Sequence, residues 1–234
     1  CECDSSQVRK YNNATLVCFS HVMRQYVDVP PRAVRDALGV RWRNIQINLI
    51  GDGVEQQVCK SGDKLTERSL YSGKKRLHTF TKLVFCSPNG YVYFASDTYT
   101  GSKTDAQLVS MSENFVWQQL DTDEYIGLDK GFKGYQQYWK NVVLPYMYGK
   151  DESLSLDHLA FNNKFKSIRT IIENVFCAAK KFRICADKLR LKTSNLEHAK
   201  HMHDMVWIVS LAMVNLFRCP LKSFPALPTN DPPM

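Results

Sequence analysis

Three carboxylates, Asp52, Asp129 and Glu173, are the residues of this chain best placed to do chemistry. Asp52 follows Ile45-Gln46-Ile47-Asn48-Leu49-Ile50, whose apolar–polar alternation predicts a half-buried strand that ends at the turn signal Gly51-Asp52-Gly53. Asp129 follows the short apolar run from Tyr125 to Leu128. Acids at strand ends of an α/β sheet lie just outside its carboxyl edge, where such folds place ligands. Glu173 falls on the flank of a predicted apolar helix, near Arg169, Lys166 and Lys180 at roughly 100° per residue. A few oxygen ligands suit a hard divalent cation that keeps open water positions, as Mg2+ does. Two such ions about 4 Å apart can activate a water and stabilise a leaving oxygen in phosphodiester cleavage. Taken singly, the same acids also read as turn residues (Asp52, Asp129) or as an i,i+4 partner of Arg169 (Glu173).

The elements that must position these acids are legible in outline. Phe80 to Cys86 and Tyr91 to Ser96, joined by Ser87-Pro88-Asn89-Gly90, predict a β-hairpin. Helices are predicted from Leu16 to Tyr26, from Ala33 to Leu38 and from Thr104 to Leu120, the last with Thr104 as N-cap. Val142-Val143-Leu144 gives a short strand. From Leu159 to Ile184, Phe161, Phe165, Ile168, Ile172, Phe176 and Ala179 fall on one helical face. A last apolar helix covers Met205 to Phe217, and the polar stretch from Cys59 to Lys75 reads as a cationic loop. The order of elements predicts an α/β domain with a mixed sheet.

Composition bounds the partners. Of 234 residues, 44% are apolar and 23% charged, which excludes wholesale disorder. Lys and Arg number 31 against 23 Asp and Glu, a net charge of +8 that favours an anionic partner. No apolar run is long enough for a membrane span, so no membrane partner is expected. The eight cysteines form no C-x-x-C pair and several sit in apolar runs, as expected of reduced thiols in an intracellular protein. His198, His201, His203 and Asp204 suggest zinc only weakly, because no cysteine pair supports a site; they read as the solvated start of the last helix.

Five blocks together resemble a known family. Asp52-Gly53-Val54-Glu55-Gln56, Tyr71-Ser72-Gly73-Lys74-Lys75-Arg76-Leu77-His78-Thr79, Gly101-Ser102-Lys103-Thr104-Asp105, Asp129-Lys130-Gly131-Phe132-Lys133-Gly134 and the helix running from Arg169 through Glu173 to Ile184 occur in one order. They are similar, block by block, to DDE transposases of the PIF/Harbinger type and their bacterial insertion-sequence relatives, over roughly residues 44 to 218. The chain departs from the family pattern at Val54, Gln57 and Phe132, where Thr, Pro and Tyr are usual; none of these is a metal ligand.

The resemblance implies an RNase H-like fold, an α/β architecture with a mixed central sheet flanked by helices. It implies a DNA endonuclease or transposase domain whose catalytic and metal-binding residues are Asp52, Asp129 and Glu173, holding two Mg2+ or Mn2+ ions. Asp52 would bridge both ions, while Asp129 and Glu173 would each hold one. Lys74, Lys75, Arg76, His78, Lys130 and Arg169 are expected to contact DNA, and Asp105 to orient the site from behind the ligands. The expected division is residues 1–43 as the remnant of an upstream helical region, 44–218 as the nuclease domain and 219–234 as a proline-rich extended tail. Double-stranded DNA is the implied partner, with a Myb-like DNA-binding protein and a second copy of the chain as further candidates. A nuclear location follows if the source is eukaryotic. The rival reading is a transposase domain retained by its host as a DNA- or protein-binding module; a nuclease acting on RNA or hybrids is a weaker third.

Overall fold

The alternating run that begins at Ile45 extends further than its pattern suggests. The computed structural model describes residues 5–42, 44–110, 116–134, 139–147, 154–191 and 193–218. Its elements are α1 (Ser5–Arg24), α2 (Arg32–Leu38), β1 (Val40–Trp42), β2 (Ile45–Gln57), α3 (Lys64–Leu70), β3 (Tyr71–Ser72), β4 (Leu77–Cys86), β5 (Val92–Ala95), β6 (Tyr99–Thr100), α4 (Asp105–Ser110), β7 (Tyr125–Gly127), β8 (Val142–Val143), α5 (Leu156–Ala179), α6 (Arg183–Ala186) and α7 (Leu196–Phe217). The sheet runs β3-β4-β2-β7-β8, with β1 on β2 and both β5 and β6 on β4. The β2–β4 and β4–β5 pairs are antiparallel, whereas β2–β7 and β7–β8 are parallel. This mixed sheet flanked by helices is the RNase H-like α/β architecture expected.

A register shift in β2 between Ile47 and Leu49 sets its two faces. Beyond it, Ile50 and Val54 point into one core with Ile168, Ile172 and Val175 of α5 and Val206, Trp207 and Leu211 of α7. Leu49 lies in a second core with Phe85, Leu108, Ile126, Leu128 and Phe132. Packing on both faces of the sheet buries β4 almost continuously from Thr79 to Cys86.

Several expected boundaries move. Gly51-Asp52-Gly53 is not a turn: β2 continues through it, and Asp52 pairs opposite Val84. Gly51 serves close packing here, because a Cβ on it would lie 2.4 Å from the Phe85 ring and 2.8 Å from Leu128. The polar stretch read as a loop from Cys59 to Lys75 contains α3, whose N-terminus is capped by the Asp63 side chain accepting from Thr66 N–H at 2.8 Å, and β3. Of the helix expected from Thr104 to Leu120, the described parts are α4 and a 3-10 turn, Val116–Gln119; residues 111–115 lie outside those described. The expected helix from Leu159 to Ile184 breaks after Ala179 and resumes as α6.

Side chains within residues 12–42 share the cores of the rest. Met23 and Val27 pack with the α7 residues, and β1 pairs with β2. Arg35 of α2 forms a buried two-pronged ion pair with Glu124, just before β7. The tail, 219–234, lies outside the described residues.

One helix surface departs from expectation. His203, read as solvated, is 1% exposed. The buried Lys82 ammonium of β4 donates to the Ser96 carbonyl and pairs with Asp204. Thr98 donates to Asp204 at 2.6 Å, so its oxygen accepts from His203 Nδ1–H at 2.7 Å. His203 Nε2 is then a bare acceptor without a partner among the described residues, beside the Phe80 and Trp207 rings. Burial, helped by the Lys82 charge, holds the imidazole well below its ordinary value of 6.5.

That linkage has a definite sign. Above 6.5 the ring is neutral in both states and its full stability is present. As pH falls below 6.5 the unfolded chain gains a proton that the folded one refuses, and stability is lost at up to about 1.4 kcal/mol per pH unit. Urea denaturation between about pH 7.5 and about 5.5 is expected to show this loss, and His203→Phe is expected to flatten the slope. Equal slopes for the two proteins would show that His203 is not the acid-sensitive group.

Candidate active site

Parallel pairing places two of the acids side by side. Ile50 of β2 is in register with Gly127 of β7, and two residues further along each chain stand Asp52 and Asp129. Neighbouring strands are about 4.8 Å apart. Asp52 Oδ1 accepts from the N–H of Gly53 at 2.7 Å, and Asp129 Oδ1 accepts from the N–H of Lys130 at 2.7 Å, capping the 3-10 turn Lys130–Phe132. Each acid is thus fixed at one oxygen by the peptide that follows it.

Helix α5 supplies the cation. Arg169 Nη1 lies 3.1 Å from Asp129 Oδ1, with the arginine side chain 18% and the aspartate 33% exposed. Arg169 Nε is buried with no hydrogen-bond partner among the described residues. The helix is held over the strand by Phe165, whose ring fills the space a Cβ on Gly127 would need at 2.9 Å.

Asp105, at the first residue of α4, enters the same site from the other face of the sheet. Its Oδ1 would be 3.2 Å from a Cβ on Gly53 and its Oδ2 2.9 Å from a Cβ on Gly131, so the two glycines make room for the carboxylate between the Asp52 and Asp129 segments. Thr104 Oγ1 accepts from Gln107 N–H, as expected of an N-cap. Burial raises the Asp52 pKa above its ordinary 3.8; the Gly53 N–H, Arg169 and Lys74 oppose the shift and Asp105 adds to it. Burial likewise raises Asp105, with Lys74 opposing and Glu55 and Asp129 adding. The site is therefore a group of crowded acids partly neutralised by one arginine and one lysine.

The basic block lies beside it. Lys74, Lys75 and Arg76 occupy the exposed turn between β3 and β4, where Ser72 accepts from the N–H groups of both Lys75 and Arg76. Arg76 takes a left-handed φ of 56°. Of these cations only Lys74 bears on both Asp52 and Asp105. Lys130 is exposed next to Asp129. His78 faces inward, its ring edge-on to Tyr71 and its Nε2 3.5 Å from Glu67 Oε1.

Glu173 stands apart. It is exposed on α5, one turn beyond Arg169, and among the described residues no three His, Cys, Asp or Glu side chains form a group that could hold a metal. The structure thus gathers Asp52, Asp105, Asp129, Arg169 and Lys74 and leaves Glu173 at the rim. The sequence reading missed Glu55, which lies on the Asp105 face of β2 and accepts from Thr79 Oγ1 at 2.7 Å. Its signal was available: an acid three residues after Asp52 must point to the opposite face of a strand. The hard carboxylate oxygens of Asp52 and Asp129 fit a divalent cation in chemistry.

A family model described as DDE superfamily endonuclease matches residues 51–215. No curated protein and no solved structure matches the chain.

Because burial raises the Asp52 pKa, its ionised form opposes folding near neutral pH, and this penalty fades as pH falls through the raised value toward 3.8. Asp52→Asn is expected to raise the Tm of the cation-free protein by a few degrees at about pH 7, with the gain shrinking toward about pH 4. The same substitution is expected to abolish any thermal stabilisation by Mg2+. A lower Tm for the variant at neutral pH would overturn this account of the site.

Proposed function

Since the chain belongs to the DDE superfamily endonucleases, we propose that it hydrolyses phosphodiester bonds of double-stranded DNA at Asp52, Asp129 and Glu173, as a nuclease or transposase domain of the PIF/Harbinger type. The observation that carries the proposal is the register that sets Asp52 beside Asp129 with Arg169 against them. Asp52, Asp129 and Glu173 would hold two Mg2+ or Mn2+ ions, which when bound supply an activated water and charge neutralisation at the leaving oxygen.

The chain's own side chains have separable tasks in this reading. Arg169 orients the Asp129 carboxylate, and its buried Nε, without a partner among the described residues, keeps hydrogen-bonding capacity for a scissile phosphate. Lys74 draws the DNA backbone toward the acids, with Lys75, Arg76 and Lys130 as exposed phosphate contacts. Asp105 fixes the spacing of the Asp52 and Asp129 segments through its seat between Gly53 and Gly131. His78, engaged with Tyr71 and Glu67, supports the basic turn rather than DNA. Strand transfer, a Myb-like DNA-binding partner, self-association and a nuclear location are extensions of the same reading. Among the described residues no helix is long and apolar enough to cross a membrane.

Two observations favour the rival, a host-retained binding module: Glu173 is exposed, and the Asp129 carboxylate is already paired with Arg169. Nicking of supercoiled DNA in Mg2+ or Mn2+ separates the two. Wild type is expected to nick, and Asp129→Asn and Glu173→Gln each to lose about 10³-fold or more, since metal-borne charge stabilisation is worth several kcal/mol. Retained folding and DNA binding without nicking in wild type would favour the module. Nicking of RNA or hybrid duplexes in preference to DNA would select the third reading.

Lys74→Gln is expected to weaken DNA binding at every sequence and to reduce the slope of log affinity against log salt by about 1. An unchanged slope would remove Lys74 from the DNA contact.

A further inference from the structure

The N-terminal half of α5 carries an aromatic surface that the proposed chemistry does not use. The Tyr146 ring stacks on His158 at 3.9 Å and meets Phe161 edge-on at 5.2 Å. Phe161 in turn meets the edge of Trp42 from β1 at 6.3 Å, and the Lys164 ammonium sits 4.4 Å from the centre of the Trp42 ring. Four rings from three separate segments thus form one continuous row, with a cation against its end. Core packing accounts for one side of it only: Phe161 packs against the core and stacks on Phe165, whereas Tyr146 is 47% exposed and Trp42 and His158 are only partly buried.

Tyr146 is also held in place. Its N–H donates to Asn162 Oδ1 at 2.8 Å, and its carbonyl accepts from Asn162 Nδ2 at 3.0 Å. A single side chain therefore satisfies both backbone groups of Tyr146, as a neighbouring strand would. Clamping the backbone beneath a half-exposed ring removes entropy that binding would otherwise have to overcome.

The row is continuous with the proposed site. Phe161, Phe165, Arg169 and Glu173 follow one another at four-residue intervals along α5. At 1.5 Å per residue, Phe161 and Glu173 are about 18 Å apart along the helix, a span of a few nucleotides. We propose that the Trp42–Phe161–Tyr146–His158 row, with Lys164, is a stacking platform for unpaired nucleobases of a DNA strand whose phosphodiester lies at Asp52 and Asp129. Base stacking on aromatic rings with a nearby cation is tolerant of sequence and suits bases freed from a duplex rather than paired within one. The net charge of +8 fits the strand's phosphates.

This rests on the nuclease reading for its ligand, but its test does not depend on cleavage. The full chain is titrated, in chelator and without divalent ions, with a short oligothymidine carrying 2-aminopurine and with a blunt duplex of the same length. Tyr146→Ala is expected to weaken oligothymidine binding about tenfold and leave duplex binding unchanged. Tyr146→Phe, which keeps the ring, is expected to bind as wild type, and His158→Ala serves as a second variant on a different segment. Asp129→Asn is expected to keep the single-strand affinity, so absence of nicking and absence of stacking are read separately. Equal losses on both probes, or no loss on either, would overturn the platform. So would sedimentation showing that wild type is a dimer that Tyr146→Ala converts to a monomer, because the face would then be covered by a second copy.

Discussion

Every part of the site depends on the parallel pairing of β2 with β7. Antiparallel neighbours such as β2 and β4 can be joined by local turns, but β2 and β7 are separated by the hairpin, α4 and the turns that follow. Their register, Ile50 to Gly127, is what turns two acids 77 positions apart in sequence into neighbours. It is enforced from above and below. Phe165 presses on Gly127 from the α5 side, while Leu128 and Phe85 close over Gly51 on the other. A slip of one residue would turn Asp52 to the opposite face and bury the wrong side chains in both cores.

This arrangement works against the folded state locally. Asp52 and Asp105 are both driven by burial toward their neutral forms, and each feels another acid close by. Arg169 and Lys74 offset part of that repulsion. The remainder is sustained by structure elsewhere: two apolar cores, the Arg35–Glu124 pair that ties α2 to the approach of β7, and the polar group around Lys82 that fastens α7 to β4. Strain of this kind belongs where function needs charge that water would otherwise solvate. The fold's stabilising contacts thus lie away from the acids.

What could be read from sequence follows from the range of the interactions. The hairpin, β7, β8 and the apolar stripe of α5 were legible because periodicity and turn residues act within a few positions. The resemblance of the five blocks led to the superfamily and to the fold. Gly51-Asp52-Gly53 misled because glycines flanking an acid mark turns in local statistics; here they are small because Phe85, Leu128 and Asp105 approach from other parts of the chain. His203 misled for a similar reason. It lies in a run of polar residues, yet Thr98 and Lys82, more than a hundred positions earlier, take it inside. Glu55 lies within the first of the five blocks, and strand parity alone puts it on the face opposite Asp52.

The exposure of Glu173 has a geometric origin in α5. Four residues advance a helix by 400°, so a stripe drawn at that interval drifts by roughly 40° per step. Phe165 is the fixed point, buried against Gly127. One step on, Arg169 is partly covered and reaches Asp129; a second step turns Glu173 outward. The opposite drift turns Phe161 partly outward toward Tyr146 and Trp42. One helix therefore presents an aromatic flank at one end and an acidic one at the other, with the arginine between them. Rotating α5 to bring Glu173 inward would lift Phe165 off Gly127 and open the core. In the proposed site the third acid must instead arrive by extension of its own side chain past Arg169, which makes the Arg169–Asp129 pair the contact that has to yield first.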